Sequence, residues 1–98
     1  MLDKVYSIYI MSNFSRTVLY TGSSSNLIGR TWQHKNDLVE GFTKRYKCHD
    51  LIYYEVLEEA KSMVERERQI KNYSQKKKRE MILKFNPTLK DLYEDITK

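Results

Sequence analysis

The chain is 98 residues long, with 18 Lys and Arg against 13 Asp and Glu for a formal net charge of +5. That length suits one domain with a single modest core and leaves little surface for a second function, and the basic balance fits an anionic partner such as nucleic acid. Cys48 is the only cysteine, which excludes an internal disulfide, and no apolar run approaches the roughly 20 residues of a membrane span, so a soluble protein of the reducing cytoplasm is expected.

Residues 5–11 and 17–20 are rich in β-branched and aromatic side chains, separated by the polar Ser12-Asn13-Phe14-Ser15-Arg16, and read as a β-hairpin. Gly22 and the following Ser23-Ser24-Ser25 break the second strand and offer N-caps for a helix from about Asn26 into Asn36. At 100° per residue, Leu27, Ile28, Thr31, Trp32 and Leu38 form one apolar arc, and Arg30 and His34 fall together just beyond its edge. Residues 37–48 show no sustained period and read as a charged loop with room for a short helical piece, Cys48 serving as a structural thiol. Leu51 to Leu57 is the clearest strand in the chain. Residues 58–71 turn helical, with Ala60, Met63, Val64 and Ile70 on the apolar face. A second helix spans about residues 75–85, ended by Asn86-Pro87, and Leu89, Leu92, Tyr93 and Ile96 imply a short helix or packed tail.

Four kinds of side chain carry possible chemistry. Glu67 shares the apolar face of its helix, where a bare carboxylate is costly; it calls for an ion pair with Lys71 or Arg30, or for a divalent cation completed by water and phosphate oxygens. Arg30 is either a cover over the edge of the core or a planar fork for phosphate. His34, one helical turn on, is either structural or a proton carrier near neutral pH, while His49 fits the plain role better. Tyr9 and Tyr20 sit on the two strands of the hairpin, as packing or as a phenol pair whose use as a base needs a neighbouring cation. The run Lys76-Lys77-Lys78-Arg79, with Lys44, Arg45 and Lys47, offers phosphate contacts without base specificity, unless it is simply a solvated surface. His and Cys spacing does not support a zinc site.

Taken in order, YSIYIM, LYTG, LIGRTWQH and ERQIK resemble the GIY-YIG endonuclease superfamily, and FTKRYKCHDLIYYE with NPTLKDLYEDI resemble its small single-domain bacterial branch, an uncharacterised excinuclease-C-like family. The resemblance extends from about residue 5 to residue 96 and implies an α/β (α+β) fold, a three-stranded antiparallel sheet flanked by helices, as a single domain over residues 1–98. It implies a metal-dependent endonuclease that hydrolyses DNA phosphodiesters, in repair or recombination, with Mg²⁺ or Mn²⁺ as cofactor. By motif, Tyr9 and Tyr20 are the signature tyrosines, with Tyr9 as general base and Tyr20 its helper. Arg30 stabilises the transition state, His34 assists proton transfer, and Glu67 is catalytic and the single metal ligand. Lys44, Arg45, Lys47, Lys71, Lys76, Lys77, Lys78 and Arg79 are the expected contacts to DNA, with no membrane partner and a monomer or weak homodimer as the working state. Ser7 replaces the first motif's glycine and Thr21 the isoleucine of the second; neither position supplies a catalytic side chain. After Glu67 the family's asparagine has no clear counterpart, and Tyr73 and Gln75 stand where the small branch carries tryptophan and arginine. The competing expectation is a binding module with the same fold and weak or no cleavage.

Overall fold

The computed structural model describes residues 4–98. Strands β1 (Tyr6–Ser12), β2 (Leu19–Ser24) and β3 (Asp50–Leu57) form one antiparallel sheet in the order β2-β1-β3. The sheet is flanked by helices α1 (Leu27–Lys35), α2 (Phe42–Arg45), α3 (Ala60–Lys71), α4 (Gln75–Phe85) and α5 (Tyr93–Thr97). The α+β fold class is therefore the expected one. Among the described residues no helix is long and apolar enough to cross a membrane.

Central β1 is buried on both faces because helices cover each side of it. Its alternation sends Ile8 and Ile10 into a core with Ile52, Tyr53, Ile70 and Ile82 beneath α3 and α4. Tyr9 and Met11 enter a second core with Leu27, Cys48, Leu51 and Leu92, on the side of α1, α2 and α5. A bulge adjusts the pairing with β3: Ile10 faces Tyr53 and Met11 faces Leu51, so Ile52 is the extra residue. The C-terminal tail is tied to this strand, since Leu92 donates its backbone N–H to Leu51 and the Asp91 carboxylate accepts from the Leu51 N–H.

The hairpin turn follows from its polar sequence. Asn13 accepts from the backbone N–H groups of Thr17 and Val18 at 3.0 Å each, and Arg16, at φ 61°, ion-pairs with Asp50 at 2.7 Å. Residues 37–48 do form a loop carrying one short helix, α2, and Asn86 does close α4 while donating its amide to the Ile52 and Lys90 carbonyls.

Three expectations are corrected. β2 does not break at Gly22 but continues to Ser24, because Gly22 keeps its place opposite Tyr9 in the ladder. The cap of α1 is Asn26, which accepts from the Gly29 N–H at 3.0 Å; Ser24 instead supports Asn26. The buried stripe of α1 is Leu27, Thr31 and His34, whereas Ile28, Trp32 and Leu38 are 45%, 50% and 58% exposed. The arc is thus rotated toward the polar side, and His34 lies in the interior rather than at its border. A similar shift leaves Ala60 and Val64 of α3 exposed while Met63 and Ile70 pack inward.

Candidate active site

Tyr9 projects from β1 toward α1, and its hydroxyl lies 2.9 Å from Nε2 of His34. The other ring nitrogen of His34 lies 2.9 Å from the hydroxyl of Thr43 in α2. Either histidine tautomer satisfies both bonds, so the three side chains form a neutral chain able to pass a proton along its length. Tyr20 packs beside it, its ring centroid 6.5 Å from that of Tyr9 and 5.7 Å edge-on from that of His34. Gly22 makes the arrangement possible. A Cβ there would lie 2.6 Å from the Tyr9 hydroxyl, so any side chain at this position displaces the phenol.

Electrostatics separate the members of this cluster. Burial, reinforced by the charges of Tyr20 and Glu67 and opposed by Arg30, pushes the Tyr9 phenol well above its usual range. Burial first and the Arg30 charge second push His34 down to about 4, so its imidazole is neutral at pH 7. The influence of Arg30 and Glu67 on Tyr9 means that all three share one electrostatic neighbourhood.

Arg30 and Glu67 arrive from opposite sides of the sheet. Arg30 extends from α1, half-buried, and makes no ion pair or side-chain hydrogen bond among the described residues. Glu67 comes from α3 at the β2 edge, where Ser23, the neighbour of Gly22, donates its hydroxyl to Oε1 at 2.5 Å. Lys71 pairs with Oε2 at 2.7 Å, so of the two ion-pair partners expected for Glu67 the structure selects Lys71. Burial alone would raise the Glu67 pKa, but the hydrogen bonds from Lys71 and Ser23 outweigh it and hold the carboxyl below its usual value. Glu67 is therefore ionised and anchored. Among the described residues no group of three or more His, Cys, Asp or Glu side chains could hold a metal ion. An ionised carboxylate that keeps 21% of its surface open at the sheet edge has the chemistry to suit a hard cation that keeps most of its waters and takes further oxygens from a phosphate.

The expected DNA-contacting residues divide between the two layers. Lys44, Arg45 and Lys47 lie on or just after α2, on the side of Tyr9 and His34; Lys44 is paired with Glu40 at 2.9 Å and Arg45 stands 5.8 Å from the Tyr46 ring centroid. Lys71 belongs to Glu67. Lys76, Lys77, Lys78 and Arg79 ride on α4, in the opposite layer, and Lys77 rests 4.1 Å above the Tyr73 ring. His49 takes the plain role expected of it, pairing with Asp37 at 2.8 Å.

Two members of the site were not legible in advance. Thr43 sits in an aperiodic loop, and only its burial beneath α1 reveals it as the partner of His34. Ser23 looked like part of a strand break, yet alternation past Gly22 turns it toward α3. The two departures from the motif, Ser7 and Thr21, are fully or nearly buried, and neither hydroxyl finds a hydrogen-bond partner among the described residues.

A family model described as the GIY-YIG catalytic domain matches residues 5–80, which takes in the whole sheet, α1, α2, α3 and the first half of α4. Comparison with curated proteins and with solved structures returned no match. The matched segment contains Tyr9 and Tyr20, which flank Gly22, the helix bearing Arg30 and His34, and Glu67, which is bonded to Ser23. The chain belongs to the GIY-YIG family, whose catalytic domain is a nuclease domain.

Proposed function

We propose that the protein is a metal-dependent endonuclease that hydrolyses DNA phosphodiester bonds at the Tyr9, Tyr20, Arg30, His34 and Glu67 cluster. The observation that carries the reading is the hydrogen bond between the Tyr9 hydroxyl and a neutral, buried His34 beside a guanidinium that no carboxylate among the described residues neutralises. A phenol in this environment resists losing its proton outright, so Tyr9 serves as a base by accepting a proton from water while handing its own to Nε2 of His34. Thr43 holds the imidazole in line for that transfer, and Tyr20 closes the phenol off from solvent on one side. Arg30 takes the phosphate oxygens and stabilises the charge that accumulates on them in the transition state. Its positive charge is also one cause of the low His34 pKa, so a phosphate seated on Arg30 makes His34 a better proton acceptor only once substrate is bound. Glu67 is the residue to hold Mg²⁺ or Mn²⁺, with Lys71 free to swing aside because its side chain is half-exposed. When bound there, the ion supplies Lewis-acid polarisation of the phosphoryl oxygen and lowers the pKa of its water. Lys44, Arg45 and Lys47 support the backbone on the same side of the sheet.

The test is cleavage of a mixed set of labelled DNAs by the purified protein with Mn²⁺ or with EDTA, alongside Glu67→Ala and Arg30→Ala. Metal-dependent cutting that both variants lose supports the endonuclease. Salt-sensitive DNA binding without cutting by the parent replaces it with a non-catalytic nucleic-acid-binding module.

A further inference from the structure

Beyond the phosphodiester site, the protein carries a row of aromatic rings that begins at the partly buried site residue Tyr20 and runs outward to exposed ones. Tyr20 stacks on Phe42 with ring centroids 5.9 Å apart and planes inclined by 27°. Phe42 in turn meets Tyr46 at 4.7 Å. Phe42 opens α2 and Tyr46 caps its end four residues later, so the two outer rings fall on one side of it, and each keeps 44% of its surface open to solvent. Thr43 points the other way, into the interior against His34. The short helix thus has one face anchoring the proton chain and another offering rings outward. Past Tyr46 the row opens into a concavity of about 440 Å³ that Tyr46 lines together with Lys47 and Phe14. Phe14, at the tip of the β1–β2 turn, is 92% exposed.

Rings this exposed contribute little to the core, and cations stand next to them: Arg45 lies beside Tyr46, and Lys47 lines the concavity, whose one carboxylate, Asp50, is neutralised by Arg16 at 2.7 Å. Alternating π-faces and cations are the physical signature of a surface for unstacked bases, where a ring takes the base and a cation the adjoining phosphate. A duplex hides the faces of its bases in its own stack, so only unpaired nucleotides can use such a row. An acidic protein partner would find cations here but no reason for a row of rings in contact, stacked between Tyr20 and Phe42 and tilted by 47° between Phe42 and Tyr46. Resting on the endonuclease reading above, we propose that Phe42 and Tyr46, with Lys47 and Phe14 beyond them, form a stacking track for unpaired nucleotides adjoining the scissile phosphate, so that the preferred substrate has a single-stranded segment. The direct contact between Tyr20 and Phe42 places the first base next to the cleavage site.

The test is fluorescence anisotropy of labelled single-stranded and duplex oligonucleotides in EDTA, where nothing is cut, using the parent protein, Tyr46→Leu, Phe42→Leu and the ring-retaining Tyr46→Phe. Each Leu variant should weaken single-strand binding about tenfold and leave duplex binding within about twofold, while Tyr46→Phe stays near the parent. A single strand with abasic residues across its centre should bind the parent as weakly as an intact strand binds Tyr46→Leu. Equal losses on duplex and single strand, or no loss on either, overturn the track while leaving the endonuclease standing if the parent still cuts with Mn²⁺. Ring-dependent single-strand binding by a parent that never cuts sustains the track and sinks the endonuclease. Failure to bind any oligonucleotide removes both.

Discussion

Two arginines on opposite sides of the sheet show how one residue type serves two ends. Arg66, on α3, is saturated: its Nε and Nη2 reach the two oxygens of Glu55 at 2.9 and 2.8 Å, while Nη1 donates to Gln69 and to the Tyr73 hydroxyl. Tyr53 adds a hydroxyl donated to the same carboxylate, so every group in the cluster answers another. Arg30, on α1, has neither an ion pair nor a side-chain hydrogen bond among the described residues, although it stands where its charge depresses His34 and Tyr9 alike. Arg66 and its partners under α3 and α4 are matched to one another, as a partly buried ion pair requires. Arg30 on the α1 side has no such partner among the described residues, which leaves a cation for something outside the chain. A saturated arginine holds the fold and an unsaturated one beside a proton chain is available to a substrate.

The strongest way to break this contrast is to truncate both. Arg30→Ala is expected to reduce cleavage by about 10²–10³-fold, the scale for losing one donor aimed at developing transition-state charge, with a thermal midpoint close to that of the parent. Arg66→Ala should do the reverse. It leaves the Glu55 carboxylate partly buried without its bidentate partner, a loss of roughly 2 kcal/mol once partial exposure is allowed for, while the folded fraction cuts at nearly the parent rate. Urea melts and metal-dependent cleavage on the same preparations decide it; a destabilised but active Arg30→Ala would place both arginines in the structural class.

Next in size is the pH dependence that His34 gives to the active side. Its pKa is lowered in the fold to about 4, against an ordinary value of 6.5, so the unfolded chain binds the extra proton first. Stability from this group is complete above about pH 6.5 and is lost as the pH falls toward 4, by up to about 3 kcal/mol. The carboxyls of Glu55 and Glu67 are held below their usual value by hydrogen bonds and ion pairs, so the stability they contribute starts to be lost in the ordinary carboxylate range and overlaps only the acid end of the His34 window. His34→Gln should therefore flatten the stability profile between about pH 4 and 6.5 and leave the acid limb in place. An unchanged slope in that variant would mean that the imidazole is not buried as a neutral ring.

The sheet, the hairpin and the helix after β3 were legible because they rest on alternation and period, which local sequence encodes. Val5 to Met11 is apolar or aromatic at every position but Ser7, the near-continuous pattern of a strand covered on both faces. Helical phase was harder. Trp32 and Ile28 are the most apolar residues of α1 and drew the buried arc toward themselves, yet His34 went inside because Tyr9 and Thr43 satisfy both of its nitrogens. That exchange depends on residues 25 positions before and 9 after, which no local window contains. Ser23 was misread for a related reason: a glycine followed by serines breaks most strands, but here Gly22 is the clearance that the Tyr9 ring requires. The candidate catalytic residues themselves were named through ordered motifs, and the motifs say nothing of the groups that hold them.

Thr43 is the test of such a supporting group, with an effect smaller than either of those above. Thr43→Val keeps the shape of the side chain and removes the hydroxyl, leaving Nδ1 of His34 buried with no partner, a loss of about 1–2 kcal/mol. Cleavage should fall by roughly tenfold, since an imidazole free to turn no longer presents Nε2 to Tyr9. Thr43→Ser, which keeps the hydroxyl, should restore most of the rate. A variant equally impaired by valine and by serine would show that the packing of the methyl group, not the hydrogen bond, is what the site uses.

The smallest effect is expected at Thr21, where the second motif departs from its usual isoleucine. Its side chain is 5% exposed and faces the apolar core beneath α3 and α4, but its hydroxyl has no hydrogen-bond partner. A buried hydroxyl without a partner forfeits its hydration for nothing, so Thr21→Val should leave the volume unchanged and stabilise the protein by up to about 1 kcal/mol. Because Thr21 points away from Tyr9, with Tyr20 and Gly22 on either side turned toward it, the rate of cleavage should stay within twofold of the parent. The same substitution at Thr43 is predicted to be harmful on both counts, although both threonines are buried and both lie within a few residues of the site. What separates them is the side of the sheet each one faces: under α3 a hydroxyl is surplus to an apolar core, and under α1 it completes a chain of proton-bearing groups. A loss of stability in Thr21→Val would mean that the core beneath α3 holds a polar partner for this hydroxyl, and the division of labour between the two faces would fail at its simplest point.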